Sequence, residues 1–398
     1  MKTEPKTSSY RVLVVAGEAS GDLHGGNLLK AAAEVAPALA FYGVGGTRMR
    51  EAGCEILFPC EDLAVMGLTE VLTHLPTIRE RFRRLETVLR GTPKPDLLIL
   101  IDYPGFNLRL AKVAREAGVP VLFYIGPKVW AWKKGRIKTI GQRVDRLALI
   151  FPFEPRLYAK EPLKAEYVGN PLLDEFAAAQ PLVALRDELG IPPEVPLVGL
   201  FPGSRASEIN QMFELLVETA RKILSEKPQA RFIVPVAPSL DIAALEESLS
   251  GCGLPIQLST ASIYAVASAC DAILCASGTA TLQVALCGTP LAVLYRAARL
   301  SYLVGRLVVK IPFFSLVNIV GGRGIVREYL QQEASAENLS REALRLLNDK
   351  KYRQQVVDGL QEVRQKLGAP GCSARVARMA LEMVTKSAAS KSCQEGIA

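Results

Sequence analysis

One local design recurs in this chain: a short run of buried-type apolar residues, a turn of small residues, then a helix. YRVLVVAGEASGDLHGGNLLKAAAE at 10–34 opens with it, and VPLVGLFPGSRASEINQMFELLVETARKIL at 195–224 starts the second half the same way. Further strand-like runs follow in the first half: FYGVGG, DLLILID at 96–102, PVLFYIG and RLALIFPF. RFIVPVA, PIQLS, AILCASGTA and LAVLYR continue the second. Helical sequence such as THLPTIRERFRRLETVLR and LRLAKVAREAG separates them. Strands alternating with helices require a parallel sheet with right-handed crossovers. The fold class expected is therefore α/β, with two Rossmann-like, doubly wound parallel-sheet domains. Ligands of such sheets gather beyond the carboxyl ends of the strands, so the cleft between the two domains is the expected active site.

The 398 residues are enough for two or three domains, and 49% hydrophobic against 22% charged residues describes a globular chain. We place the boundaries at 1–172, 173–366 and 367–398, with the link in GNPLLDEFAAAQPL and a C-terminal helix packing back on the first domain. The last dozen residues, SAASKSCQEGIA, read as frayed. No apolar run reaches membrane-spanning length, and the opening MKTEPKTSSYR lacks the apolar core of a signal peptide. Eight scattered cysteines, without a CxxC pair or histidine partners, read as reduced cytosolic thiols rather than a zinc site. The net charge of +8 gathers at Arg79–Arg90 and Lys128–Lys138, and suits nucleic acid, anionic lipid or a phosphorylated substrate. No nucleic-acid-binding module accompanies it.

The turns carry the chemistry. In CASGTATLQVALCGTP at 275–290 a strand enters Ser277, Gly278 and Thr279 and a helix leaves. Helix-start N–H groups and the helix dipole form an anion site there, which two hydroxyls extend; an ordinary N-cap is the plainer reading. PGSR at 202–205 offers Arg205, a fixed-charge fork for phosphate oxygens. Neither GxxxxGK[ST] nor a strict GxGxxG occurs, and no DxD pair or His/Cys cluster suggests a metal or cofactor. Asp102, at the end of the strand DLLILID, is placed to act as a general base, against the commoner fate of a turn aspartate. Glu18, Ser20 and Asp22 lie in the first turn, near the same place. His24 at a helix start reads as structural. Trp130 and Trp132 suit sugar stacking, a lipid surface or a core. The apolar stretch 63–76 beside the arginine-rich helix suits an interfacial membrane contact or a buried helix.

Taken in order, VAGEASGD, AVMGLTEVL, IDYPGFN, GPKVWAWKKGR, PGSRASEI, ASGTATLQ and SLVNIVGG resemble the lipid-A-disaccharide synthase family over nearly the whole chain. The resemblance implies a metal-independent, inverting glycosyltransferase of the two-Rossmann-domain (GT-B) type. It implies transfer of 2,3-diacylglucosamine from UDP-2,3-diacylglucosamine to 2,3-diacylglucosamine 1-phosphate, giving a β(1→6) disaccharide and UDP. Asp102 with Glu18 would be catalytic. Ser20, Gly21, Ser204, Arg205, Ser277, Gly278, Thr279, Gln283 and Asn318 would bind substrate or UDP, with Gln283 at the ribose. Met66, Leu68 and Leu72 would touch the cytoplasmic face of the inner membrane. A homodimer through the C-terminal region, and no nucleic acid, complete the partners implied. The chain departs from the family pattern with Gly126 for a usual Ser, Asn170 for His, Gln283 for Glu, and Val317 and Arg327 for prolines. The alternatives are a UDP-GlcNAc 2-epimerase, whose cleft acids and histidines are not found, and a non-catalytic paralogue that binds nucleotide or lipid.

Overall fold

The structure, a computed structural model, describes residues 9–63, 68–132, 134–180, 182, 184–203, 206–237, 240–296 and 312–395. The chain forms two compact units, Met1–Asp174 with Pro370–Ala398, and Glu175–Ala369. In the first, β1 (Tyr10–Ala16), α1 (Ala19–Val35), β2 (Leu39–Gly45), α2 (Thr47–Glu51) and β3 (Glu55–Pro59) are followed by α3 (Leu68–Arg90). Then come β4 (Leu97–Ile101), α4 (Pro104–Glu116), β5 (Val121–Tyr124), α5 (Arg136–Arg143), β6 (Arg146–Leu149) and β7 (Lys164–Tyr167). The seven strands are parallel, in the order β3-β2-β1-β4-β5-β6-β7.

After α6 (Pro171–Ala178) and α7 (Leu185–Glu188), the second unit runs β8 (Leu197–Phe201), α8 (Ala206–Glu226), β9 (Arg231–Pro235), α9 (Ile242–Leu249) and β10 (Ile256–Ser259). It continues through α10 (Ile263–Ala269), β11 (Ala272–Ala276), α11 (Ala280–Cys287), β12 (Leu291–Tyr295), α12 (Leu316–Gly321) and β13 (Glu328–Leu330). Its six parallel strands are ordered β10-β9-β8-β11-β12-β13. Helices α13 (Ala336–Asn348) and α14 (Lys350–Leu367) complete it, and α15 (Cys372–Glu395) returns to the first unit. Helix α15 extends to Glu395, where the composition alone suggests fraying.

Both sheets follow the doubly wound order in which a strand pair at the middle leaves in opposite directions. That pair is β1 and β4 in one unit, β8 and β11 in the other. The strands are apolar on both faces because helices cover both. Leu13, Val15, Leu98 and Leu100 pack with Leu85 and Leu89 of α3 and Leu110 of α4. Val12, Val14, Leu97 and Ile99 pack on the opposite face with Leu28 of α1 and Val376, Ala380 and Met383 of α15. The carboxylate of Asp174 accepts from the N–H groups of Gly371, Cys372 and Ser373, capping the start of α15. Arg146 joins the same helix through Glu382 at 2.6 Å.

Two positions answer departures from the family pattern. A Cβ on Gly126 would stand 2.9 Å from Leu149 Cδ2 and 3.0 Å from Leu147 Cδ1, so the leucines of β6 occupy the space of a serine side chain. Asn170 is buried; its Oδ1 accepts from Leu172 N–H at 3.0 Å and its Nδ2 donates to Ile150 O at 3.1 Å. It ties the start of α6 to the end of β6.

Buried titratable groups mark the same region. His24 on α1 packs edge-on to Tyr124, its Nδ1 has no partner, and burial lowers its pKa from 6.5 to about 4. Glu154 is 2% exposed. Its carboxylate accepts from Trp130 Nε1 and Phe151 N, both at 3.0 Å, joining the loops after β5 and β6. Burial raises its pKa from 4.5 to about 7, against the opposing N–H donors and the Lys128 ammonium.

The two groups set opposite pH slopes. Unfolded chains take up a proton on His24 between pH 6.5 and about 4 that folded chains refuse, so its contribution to stability falls as pH drops. Folded chains keep a proton on Glu154 that unfolded chains lose between pH 4.5 and about 7, so its contribution falls as pH rises. Each amounts to on the order of 3 kcal/mol across its full range. The two therefore offset one another between pH 4.5 and 6.5. Urea unfolding of His24→Asn at both ends of that window should show stability falling with pH, and Glu154→Gln the reverse. A variant with the wild-type slope would count against its residue. Gly126→Ser should lower stability by about 1–3 kcal/mol through overpacking, and in a double-mutant cycle by urea unfolding it should cost less in the Leu149→Ala background than in the wild type.

Candidate active site

Each predicted functional turn in the first unit emerges at the β1/β4 switch point. After β1 the chain passes Gly17 into Glu18, which is extended (φ −149°), exposed, and precedes the first turn of α1. Ser20 is exposed, whereas Gly21 is buried, its missing Cβ sparing a 3.1 Å approach to Ala16 Cβ. Asp22, in the same first turn, faces inward. It is 6% exposed, and its carboxylate accepts from the N–H groups of Gly46 (2.6 Å), Arg48 (3.1 Å) and Met49 (3.0 Å). Those are the orphan donors at the start of α2, so Asp22 is a helix cap.

Asp102 follows the last residue of β4 in a left-handed conformation (φ 46°), and Tyr103 repeats it (φ 47°). Two successive non-glycine residues here store on the order of 1–3 kcal/mol each, which neighbouring contacts must hold. Asp102 N–H donates to Tyr124 O at 3.0 Å, and Asn107 Nδ2 donates to Asp102 O at 2.7 Å. The Tyr103 hydroxyl donates to Leu63 O at 2.7 Å, and Asn107 N–H donates to Tyr103 O at 3.1 Å. Tyr103's ring lies over Gly17, where a Cβ would come within 2.4 Å of it. A side chain at 17 and the ring at 103 exclude each other. Burial raises the pKa of Asp102, with the Lys128 ammonium and the Tyr103 N–H opposing. Raising a carboxyl towards neutrality strengthens it as a base.

The tryptophans divide. Trp130 packs against Phe151 and Phe153 at 6.0 and 5.6 Å and donates to Glu154. Trp132 is 43% exposed beside Arg136. Met66 lies outside the described residues. Leu68 and Leu72 fall within α3, but their side chains lie outside them too.

In the second unit the β8/β11 switch point receives the other predicted turns. β8 leads into Pro202 and Gly203; Ser204 and Arg205 lie outside the described residues. Beyond β11, Ser277 N–H donates to Leu294 O at 2.9 Å and its hydroxyl to Phe314 O at 3.0 Å. Gly278 and Thr279 are exposed, and the Thr279 hydroxyl makes no cap hydrogen bond. A Cβ on Gly278 would meet nothing within 4 Å. Helix bonding begins with Thr281, Leu282 and Gln283 donating back to Gly278 and Thr279. The N–H groups of 278, 279 and 280 thus precede it, in the manner of an anion site.

Two expected nucleotide contacts are already engaged within the protein. Asn318 is 1% exposed. Its Nδ2 donates to Val326 O and Glu328 Oε1, and its Oδ1 accepts from Ile325 and Val326 N–H, at 2.8–3.0 Å. Glu328 also accepts from Phe314 and Ser315 N–H at 2.8 and 2.9 Å. Asn318 and Glu328 together brace the turn whose Phe314 O holds Ser277. Gln283 is half-buried and hydrogen-bonded to the Tyr264 hydroxyl, which also reaches Glu175 at 3.4 Å. Among the described residues, no three His, Cys, Asp or Glu side chains gather as metal ligands.

The sequence assigned no individual role to Asn107, Lys128, Glu154 or Glu328. Asn107 and Lys128 left a mark, lying inside the quoted motifs IDYPGFN and GPKVWAWKKGR; Glu154 and Glu328 act through contacts made only on folding.

Solved structures with this arrangement include the UDP-GlcNAc 2-epimerase from Neisseria meningitidis bound to UDP-GlcNAc, with a TM-score of 0.62 at 13% identity, covering 94% of this chain and all of that one. A calicheamicin glycosyltransferase gives 0.60 at 14%, covering 95% and 98%. At such identities they speak for the fold alone. Closer in sequence is the lipid-A-disaccharide synthase of Syntrophotalea carbinolica, 50% identical over 94% of this chain and 95% of its own. That of Geobacter sulfurreducens is 43% identical over 96% and 99%. A family profile described as lipid-A-disaccharide synthetase matches residues 12–381. With its Asp102 turn and its Ser277–Thr279 turn each at a switch point, the chain belongs to the lipid-A-disaccharide synthetase family.

Proposed function

We propose that the chain transfers 2,3-diacylglucosamine from its UDP derivative to the 6-hydroxyl of 2,3-diacylglucosamine 1-phosphate, with inversion at the anomeric carbon. The observation that carries the reading is Asp102, a carboxyl of raised pKa held on a strained turn at the end of β4. Asp102 accepts the proton of the acceptor hydroxyl as its oxygen attacks C1, and the C1–O bond to the diphosphate breaks on the opposite face. Charge growing on the departing UDP is met by the N–H groups of residues 278–280, the start of α11 and Arg205. Fixed dipoles suit that task because they need no reorganisation during the reaction. Glu18, beside Tyr103, orients the acceptor hydroxyl. Ser20 and Gly21 at the start of α1 border the same space, and Ser204, the neighbour of Arg205 in the chain, joins it at the diphosphate. The apolar stretch 63–72, ahead of the arginines at 79–84, docks on the cytoplasmic face of the inner membrane, from which both acylated substrates come.

Asp102→Asn keeps the shape and removes the proton acceptor. It should lower kcat by about 10²–10⁴ while UDP affinity, followed by calorimetry, stays near wild type. Near wild-type turnover would assign the proton to another group. The membrane reading predicts that Met66→Ser, Leu68→Ser and Leu72→Ser combined weaken sedimentation with anionic liposomes and leave Tm within a few degrees. A fall in Tm of many degrees would mark the stretch as core.

A further inference from the structure

Beside the Asp102 turn, α3 and α4 enclose a groove of about 580 Å³ on the first unit. Its floor is Ile78, Phe82, Phe106 and Tyr103. The rings of Phe82 and Phe106 meet edge to face at 5.4 Å, and Tyr103 continues the row 6.1 Å from Phe106. Arg79, Arg83 and Arg109 form the rim. Arg79 and Arg83 are one turn apart on α3, and Arg109 is three residues beyond Phe106 on α4, so all three follow from helical spacing.

The charge state of these arginines sets them apart from the rest of α3. Arg81 is paired with Asp62 at 2.9 Å, and Arg90 with Glu86 and Glu116, both at 3.1 Å. Arg79, Arg83 and Arg109 have no ion pair among the described residues. Glu86 is the one carboxylate on the groove, and Arg90 engages it. A hydrocarbon floor ringed by three unmatched guanidiniums is complementary to an amphiphile with an anionic head and an apolar tail. Guanidinium forks match phosphate oxygens in geometry as well as charge.

The geometry points to this groove as the seat of the acceptor glycolipid: Arg79, Arg83 and Arg109 hold its phosphate, and one acyl chain lies along Phe82 and Phe106. This rests on the function proposed above. It selects the acceptor over the UDP-linked substrate because Tyr103, on the floor, is the residue next to the base. The acceptor is also the substrate whose single phosphate and acyl chains share one sugar. The phosphate is thereby the handle by which a lipid is turned so that its 6-hydroxyl meets Asp102.

The test compares wild type with Arg83→Ala, Arg109→Ala and the double variant. Turnover is measured in neutral detergent micelles, with 2,3-diacylglucosamine 1-phosphate and with the same lipid lacking the phosphate. These side chains are exposed, so the variants should fold. On the phosphorylated acceptor the double variant should raise KM by about tenfold or more, with kcat and the KM of the UDP-linked substrate little changed. On the dephosphorylated acceptor wild type and variants should coincide. An equal penalty on both acceptors, or no penalty, overturns the assignment. Loss of binding to phosphatidylglycerol vesicles with KM unchanged in neutral micelles also overturns it, assigning the arginines to the bilayer. Absence of disaccharide from wild type with either acceptor would overturn the proposed function itself, and this inference with it.

Discussion

The first unit depends on how β4 ends. A parallel strand buried on both faces must leave the sheet sharply if its next residue is to reach solvent, and here the departure takes two consecutive left-handed residues. An aspartate tolerates that conformation better than most residues, but nothing in Tyr103 favours it. It persists because one carbonyl from β5, one side-chain amide from α4 and one carbonyl at Leu63 each fix a different atom of the turn. A chain relaxed by one rotation would carry the carboxyl elsewhere. The strain is the cost of aiming it, and Asn107, fully buried beneath, is the residue most committed to holding it.

The second unit solves a related problem without strain. Its exposed turn leaves backbone N–H groups ahead of α11, and the Ser277 and Thr279 hydroxyls do not cap their own helix. The hydroxyl of Ser277 is drawn off to Phe314 O, and that segment is fixed by the carboxylate of Glu328. Asn318 completes the brace with four internal hydrogen bonds. A buried amide fully satisfied in this way stays with the turn it supports, because turning outward would leave several donors and acceptors unpaired.

Much of this was legible in sequence because the central strands are apolar runs ended by a small or acidic residue. VLVVAGE, LLILID and AILCASG each give both the strand and the turn that leaves it. The edge strands β3, β7 and β13 were missed. They are short and mostly half-exposed, so neither a continuous apolar run nor a clean alternation marks them. Asp22 and Asn318 share one limit of sequence reading: a polar residue near a predicted turn looks available until its partners are known. Asp22's partners lie 24 to 27 residues away on another helix, a distance no local pattern encodes. Gly126 shows the converse, a departure from the family pattern that matches the pair of leucines crowding it from the next strand.

Lys128 links the buried carboxyls. Its ammonium acts on both Asp102 and Glu154, opposing the rise that burial imposes on each. Glu154 holds Trp130, two residues from Lys128, so the loop that carries the cation is tied down by one of the acids that the cation stabilises. A change at Lys128 would therefore move both carboxyls together. That follows from sharing a single cation in a medium where charge is poorly screened.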